Sequence, residues 1–378
     1  MKICFVLEHF FPHVGGVETE FFEFSSRLVA MGCEVRVVTS DSGGVSGQSE
    51  YNRVAVWHHS WRDFFGHPYP RSADLIGHIA WADIVHTTTY TAAPVTLSVS
   101  QKFNKPCVLT VQECLGRRWF QLGENPLIAA GFFAFERFVI RRKFQAWHCI
   151  SQATANDVSA AGIPQKGIVP ILLGIDDSLY QSPPPMRNPA ELFDVPTNSR
   201  VFLFFGRPGK TKGLPVLLDA LKLIIEDIPA DVIFGLILGA HPKRERQRFE
   251  EQIASSILKE RVKVVPSVSR SELLGYVRGA YSVICPSITE GFGFSAAETS
   301  AIGTPIISSD AGSLPEVVSG EHLFFRSRSS TDLADKIRLA FRGEFNFRPK
   351  IEFSWEKATT RLLALYDELS PSKERRPS

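Results

Sequence analysis

Lys2-Ile3-Cys4-Phe5-Val6-Leu7 opens the chain, a loop runs from His9 to Gly16, and Val35-Arg36-Val37-Val38-Thr39 closes the unit that decides the fold. Between loop and second run, Phe21, Phe22, Phe24, Leu28 and Val29 recur at spacings that suit one helix face. Met31-Gly32 ends that periodicity, and glycine is the usual residue just past a helix. The two flanking runs are short and apolar, the second rich in β-branched residues. They read as neighbouring parallel strands with the helix as their crossover. Residues 84–87, 108–111 and 146–150 are further strands of the same kind, with helical stretches between most of them. Such alternation predicts an α/β architecture, a parallel sheet covered by helices on both faces.

The pattern restarts after residues 182–190, SPPPMRNPA, whose four prolines predict an extended linker. Strands follow at 201–205, 232–238, 262–265, 282–285 and 305–308. At about 150 residues per domain, a chain of 378 residues has room for two doubly wound domains. Their expected bounds are 1–180 and 181–353, followed by a last helix over 354–370 and a frayed basic tail over 371–378. In sheets of this kind, ligands bind beyond the carboxyl ends of the strands. Two such domains facing each other would hold a cleft between those ends.

Composition narrows the function. Formal charge is +2, from 42 basic and 40 acidic residues, too balanced for a nucleic-acid-binding surface. The six cysteines show no CxxC spacing and mostly sit in apolar runs, which suits a reduced, cytoplasmic compartment. The opening run is too short for a signal peptide. The longest uncharged apolar stretch, 126–135, reaches about half a bilayer span.

Four strand-to-helix loops carry the informative residues. His13-Val14-Gly15-Gly16-Val17-Glu18 frees backbone N–H groups at a helix start, a place that favours an anion, although an ordinary flexible turn reads the same way. It lacks the GxGxxG order of a dinucleotide site. Residues 206–213, GRPGKTKG, place Arg207 and Lys212 around one turn, a pairing that suits a diphosphate as well as a solvated basic surface. The GxxxxGK[ST] order of a P-loop fails here. Residues 290–298, EGFGFSAAE, set Glu290 and Glu298 on either side of Gly291, Phe292 and Gly293. Residues 309–316, SDAGSLPE, form the fourth loop. Ser287 with Glu290, Ser295 with Glu298 and Ser313 with Glu316 all have S-x-x-E spacing, so helix capping competes with function at each.

The order and spacing of these loops resemble retaining GT-B glycosyltransferases of the large family 4, over nearly the whole chain. ISQATANDV, residues 150–158, resembles that family's S-x-x-T segment. The resemblance implies two Rossmann-like domains facing a central cleft, with a C-terminal helix crossing back to the N-terminal domain. It implies a nucleotide-diphosphate sugar, UDP- or GDP-linked, as donor and a glycan or glycolipid as acceptor. Carried over position by position, it makes Arg207 and Lys212 diphosphate ligands and Glu298 a partner of the ribose hydroxyls. Glu290 would contact the donor sugar as part of the catalytic machinery. The amides of Gly291, Phe292 and Gly293 would address sugar or phosphate, and Gly15 and Gly16 the diphosphate side.

Two positions depart from the family pattern. Gln112 follows the strand 108–111 where a histidine is usual, and Leu173 precedes Gly174 where asparagine is usual. Glutamine hydrogen-bonds but does not titrate near neutrality, so a histidine proton shuttle is excluded there. Gln112 therefore favours an alternative, a catalytically silent relative that binds nucleotide-sugar or glycan as an accessory protein. No D-x-D occurs, and the ten histidines show no H-E-x-x-H, so no metal and no cofactor is expected. Two readings fit Phe132, Phe133, Phe135 and Phe138 beside Arg137, Arg141, Arg142 and Lys143. One is a core helix with a charged end; the other is a peripheral contact with an anionic membrane, at its inner face.

Overall fold

The computed structural model describes all residues except 14, 42–44, 65–71, 90, 123–124, 210, 240–242 and 371–378. The expected basic tail lies outside the described residues. The chain divides into two compact units, Met1–Gly174 with Ser354–Ser378, and Ile175–Phe353. Each is a twisted sheet layered by helices.

The first sheet holds β1 (Lys2–Leu7), β2 (Glu34–Ser40), β3 (Gly47–Tyr51), β4 (Val54–His59), β5 (Ile84–Thr88), β6 (Cys107–Val111), β7 (Ala146–Cys149) and β8 (Ile168–Pro170). Its order is β3-β4-β2-β1-β5-β6-β7-β8. Every pairing is parallel except β3 with β4. Residues 47–59 supply that edge hairpin. The helices are α1 (Gly16–Ala30), α2 (Ala73–Trp81), α3 (Ala92–Lys102), α4 (Pro126–Ile140) and α5 (Gln152–Ala160). Phe21, Phe24 and Leu28 of α1 are fully buried, as the helical spacing predicts.

The second unit begins with α6 (Ser178–Gln181) and α7 (Pro189–Leu192). Its strands are β9 (Arg200–Gly206), β10 (Val232–Leu238), β11 (Val262–Pro266), β12 (Ser282–Cys285), β13 (Ile306–Ser309), β14 (Gly320–Phe325) and β15 (Asn346–Arg348). The order is β11-β10-β9-β12-β13-β14-β15, antiparallel only at β15. Its later helices are α8 (Leu214–Leu223), α9 (Lys243–Ala254), α10 (Arg270–Gly279), α11 (Phe294–Ile302), α12 (Leu314–Val317) and α13 (Ser330–Phe341). The last helix, α14 (Trp355–Leu369), belongs to the first unit, where Trp355 meets Phe24 edge-on at 5.4 Å. The backbone of Gly174 lies so close to it that a Cβ there would stand 2.2 Å from the Trp355 nitrogen.

One expectation fails. The proline-rich segment is not the linker, because the units part at Gly174 and again at Phe353. Its prolines strap α10 instead: the Arg187 amide donates to the Gly275 carbonyl at 3.0 Å. A Cβ on Gly279 would stand 1.9 Å from the Arg187 oxygen. The segment is extended because it is packed, not because it spans a gap.

The first unit hides a polar chain in its core. Arginine-free and fully buried, it links His86, Thr110, His148 and Tyr366. Its proton directions follow from its end. His148 Nε2 faces the Ile171 carbonyl at 3.2 Å, which only accepts, so Nε2 carries the proton and Nδ1 accepts from Thr110 at 2.9 Å. Thr110 then receives the His86 Nε2 proton at 2.7 Å, and His86 Nδ1 accepts from the Tyr366 hydroxyl. Both rings are neutral in this arrangement. Burial pushes His86 well below the ordinary imidazole range, with His148 adding to it, and lowers His148 to about 4.

Candidate active site

In both sheets the strand order reverses once between neighbouring parallel strands, at β1 and β5 and at β9 and β12. Loops leaving such a switch point splay to opposite faces and open a crevice at the strand ends. In the second unit, the loops after β9 and β12 are the ones that carry Lys212 and Glu290.

Those loops interlock. Lys212 Nζ donates to both Glu290 carboxylate oxygens, at 3.1 and 2.7 Å. The Ile288 amide donates to the Thr211 carbonyl at 2.7 Å. Gly213 adopts φ 71°, and a Cβ there would fall 1.7 Å from the Pro286 oxygen; no other residue fits. The fourth loop joins from the β13 side. Gly312, at φ 52°, presses its Cα against the Glu290 backbone, where a Cβ would stand 2.2 Å from the carbonyl oxygen. Ser313 donates to that same oxygen from its amide and its hydroxyl, both at 3.2 Å. Glu290 is thus held at its backbone by one loop and at its side chain by another.

Glu298 sits on α11, 5% exposed, and accepts from Arg270 Nη2 at 2.6 Å. Burial raises its carboxyl above the ordinary range, and the guanidinium opposes that rise. Arg270, at the start of α10, is a residue the sequence reading missed. A true capping box marks that helix start, Ser269 with Glu272, but nothing in the spacing ties position 270 to 298. The three S-x-x-E pairs weighed as caps do not cap. Gly293 is the N-cap of α11, Ser313 makes no side-chain cap at α12, and no helix follows Ser287 directly.

Arg207 lies at the end of β9 beside Gly239, exposed, and makes no ion pair among the described residues. Arg207 and Lys212 therefore differ: Lys212 is committed to Glu290, and Arg207 points outward. Phe292 is buried and packs edge-on against Phe353 at 5.4 Å, so only its backbone remains for a ligand. Gly291 and Gly293 flank it, the latter at φ 92°.

In the first unit, Gly15 caps α1 and Gly16 is its first residue. The Glu18 carboxylate folds back over Gly15, its Oε2 2.5 Å from where a Cβ would stand, and its Oε1 meets His13 Nδ1 at 2.9 Å. The chain's own carboxylate thus occupies much of the anion-favouring helix start. Gln112 follows β6, and its Nε2 donates to Glu20 Oε2 at 2.7 Å. That bond fixes the amide: its oxygen is turned away from Glu20. Glu20 is fully buried, its Oε1 has no partner, and burial pushes it up to about 8 against the pull of Gln112. Nothing in the sequence singled out Glu20.

A histidine cluster also escaped the sequence reading. His59 at the end of β4 and Asp74 and His78 on α2 bring their ligand atoms within 4.8 Å of one another. The pairing of Asp74 and His78 four apart on a helix was the available signal. Arg36 donates to His78 Nδ1 at 3.2 Å, so the neutral ring carries its proton on Nε2, the atom 3.6 Å from Asp74. His59 Nε2 lies 3.6 Å from the same carboxylate, and neither ring nitrogen makes a hydrogen bond to it.

The fold and the loops together define a GT-B glycosyltransferase. The description "Glycosyltransferase Family 4" matches residues 14–179 and "Glycosyl transferases group 1" matches 191–354, and the chain belongs to this family. It is 26% identical over 329 residues to the D-inositol 3-phosphate glycosyltransferase of Xylanimonas cellulosilytica, covering 79% of this chain and 74% of that one. A match to the enzyme of the same description from Corynebacterium jeikeium, 29% identical, spans 48% of this chain and about half, 46%, of that relative. In fold it resembles sucrose-phosphate synthase from Thermosynechococcus elongatus, with TM-score 0.75 at 20% identity over 97% and 98% of the two chains. It also resembles the Anabaena protein HepE in complex with UDP, with TM-score 0.72 at 17% identity over 97% and 100%.

Proposed function

We propose that this glycosyltransferase takes a sugar from a nucleotide diphosphate, UDP- or GDP-linked, and adds it with retention to a glycan or glycolipid. The observation that carries the reading is the Lys212–Glu290 pair, set by interlocked loops at the switch point of the second sheet. Breaking the bond between sugar and diphosphate leaves charge on a phosphate oxygen while the sugar becomes oxocarbenium-like. The acceptor hydroxyl adds on the face the phosphate leaves, and the departing phosphate takes its proton. Lys212 and the outward Arg207 would neutralise that phosphate, and preorganised donors of this kind contribute on the order of 3 kcal/mol each. Gly291 and Gly293 would let backbone amides approach sugar or phosphate. Glu298, kept in place by Arg270, would accept from the ribose hydroxyls, and Glu290 would address the sugar. Gln112 would offer the donor sugar its amide oxygen, and the amides of Gly15 and Gly16 would meet the diphosphate after displacing Glu18.

Two cations and a helix start supply the charge, so the transfer needs no bound metal. The six unpaired cysteines suit a reducing, cytoplasmic setting. Gln112 favours the second reading, a silent binding relative. Thermal-shift screening with UDP-, GDP- and ADP-sugars, followed by release of nucleotide diphosphate with cell-envelope acceptors in the presence of a chelator, separates the two. Release under chelation supports the proposal. Binding without release under any condition supports the silent relative, and release only after Mn²⁺ or Mg²⁺ is restored overturns metal independence.

A further inference from the structure

Of the two readings of α4, the core helix does not fit its burial. Of α4, only Ala129, Val139 and Ile140 are buried, while Leu127, Ile128, Phe132, Phe135 and Phe138 are exposed, Leu127 at 83%. At 100° per residue these five fall within an arc of about 140°. Phe120, on the short 3₁₀ helix Gly116–Gln121 that precedes α4, is exposed beside them. Monomeric proteins seldom present such a stripe to water without a use for it.

The stripe is built rigidly. Trp119 stacks on Phe132 at 4.9 Å. Glu136 accepts from the Leu115 amide at 2.8 Å, the Gly116 amide at 2.7 Å and the Trp119 indole at 3.0 Å, tying the preceding turn to the helix. That arrangement also decides the charge. Glu136 is spent inside the hairpin and Asp157 on Arg118, while Arg117, Arg137, Arg141 and Lys143 remain exposed around the apolar stripe. The Arg142 guanidinium lies over the Phe138 ring at 4.5 Å.

We infer that this hairpin, residues 115–122 and 125–143, is a docking face for an anionic lipid bilayer. A lipid surface offers hydrocarbon to the aromatic stripe and phosphate to the surrounding arginines at once. Among the described residues no helix is long and apolar enough to cross a membrane, so the contact is one of lying on the surface. The inference deepens the proposed function, since it makes a lipid-linked sugar the acceptor class that this face would meet.

Sedimentation of the full chain with vesicles tests it without any nucleotide-sugar, so its outcome is independent of the donor site. Vesicles of phosphatidylcholine with an equal part of phosphatidylglycerol should carry the protein down, and pure phosphatidylcholine should not. The double variant Leu127→Ser with Phe138→Ser should lower partition by about tenfold, because two apolar side chains leave the lipid. Arg137→Glu with Arg141→Glu should lower it similarly and remove the lipid preference. Both pairs are exposed, and unchanged melting temperatures would show that the fold survives. Equal sedimentation with both lipids, or variants that bind like wild type, overturns the inference. So does a wild-type chain that ignores vesicles but dimerises through this face, with the apolar double variant monomeric.

Discussion

The two units handle buried polarity in opposite ways. In the second, each carboxylate of the candidate site is met by a cation, Lys212 for Glu290 and Arg270 for Glu298. In the first, Glu20 is met by the amide of Gln112, and the core histidines are met by hydroxyls and a carbonyl. Paired charge near a loop mouth can be exchanged for the charge of a ligand. Neutral polarity in a core cannot, and it serves to hold elements in one arrangement. Chemistry should therefore fail when a charge pair of the second unit is broken, and pH-dependent stability should change when a neutral contact of the first unit is.

Lys212→Ala should show the largest effect. It removes the cation proposed for the leaving group and strands the Glu290 carboxylate, so turnover should fall by about 10²–10³ with the melting temperature little changed. Turnover near wild type would move the chemistry away from this pair. Glu20→Gln comes next and works through pH. The folded carboxyl titrates near 8, above the ordinary value of 4.5, so between those values the unfolded chain has released a proton that the folded chain keeps. Stability therefore falls as pH rises through that window. Glutamine cannot ionise, so the variant should gain on the order of 2 kcal/mol over wild type at pH 9 and almost nothing at pH 5. A gain that does not grow with pH in denaturant titrations would mean that Glu20 is ionised in the fold. Glu298→Gln is smaller: donor affinity by calorimetry should weaken about tenfold, with kcat at saturating donor nearly unchanged. A fall in kcat with intact affinity would give Glu298 a place in the reaction instead.

How much of this was legible in the sequence depends on the kind of contact. Strand and helix runs are periodic, and the main strands stand within a residue or two of where the pattern puts them. The edge hairpin β3–β4 was not readable, because Gly47–Tyr51 is polar and half-exposed and gives no apolar alternation. Lys212, Glu290 and Glu298 were visible because glycine-rich turns after strands mark them. Arg270, Glu20 and the His59–Asp74–His78 cluster were not, since each pairs residues joined only through tertiary packing. The α4 stripe shows a different limit. Its composition is that of a core helix or an interfacial one, and only burial tells them apart.

The smallest effect concerns the neutral chain in the first unit. Because His148 Nε2 must donate to the Ile171 carbonyl, every later bond in the chain has one allowed direction, and it ends with Tyr366 donating to His86. Tyr366 belongs to α14, so the last donor in the network is what ties that helix to β5. Tyr366→Phe keeps the ring and removes only the hydroxyl, leaving His86 Nδ1 without its donor. The expected cost is about 1 kcal/mol, with donor affinity in the second unit unchanged. The same network sets an acid limit. Both histidines titrate below 6.5 in the fold, so as pH falls beneath that value the unfolded chain takes up protons that the folded chain refuses, and stability declines toward pH 4. Tyr366→Phe leaves the rings buried and neutral, so it should lower the melting temperature by a similar amount at pH 7 and pH 5.5. A loss confined to acid pH would mean that the hydroxyl accepts from a protonated His86, which would reverse the direction of the whole chain.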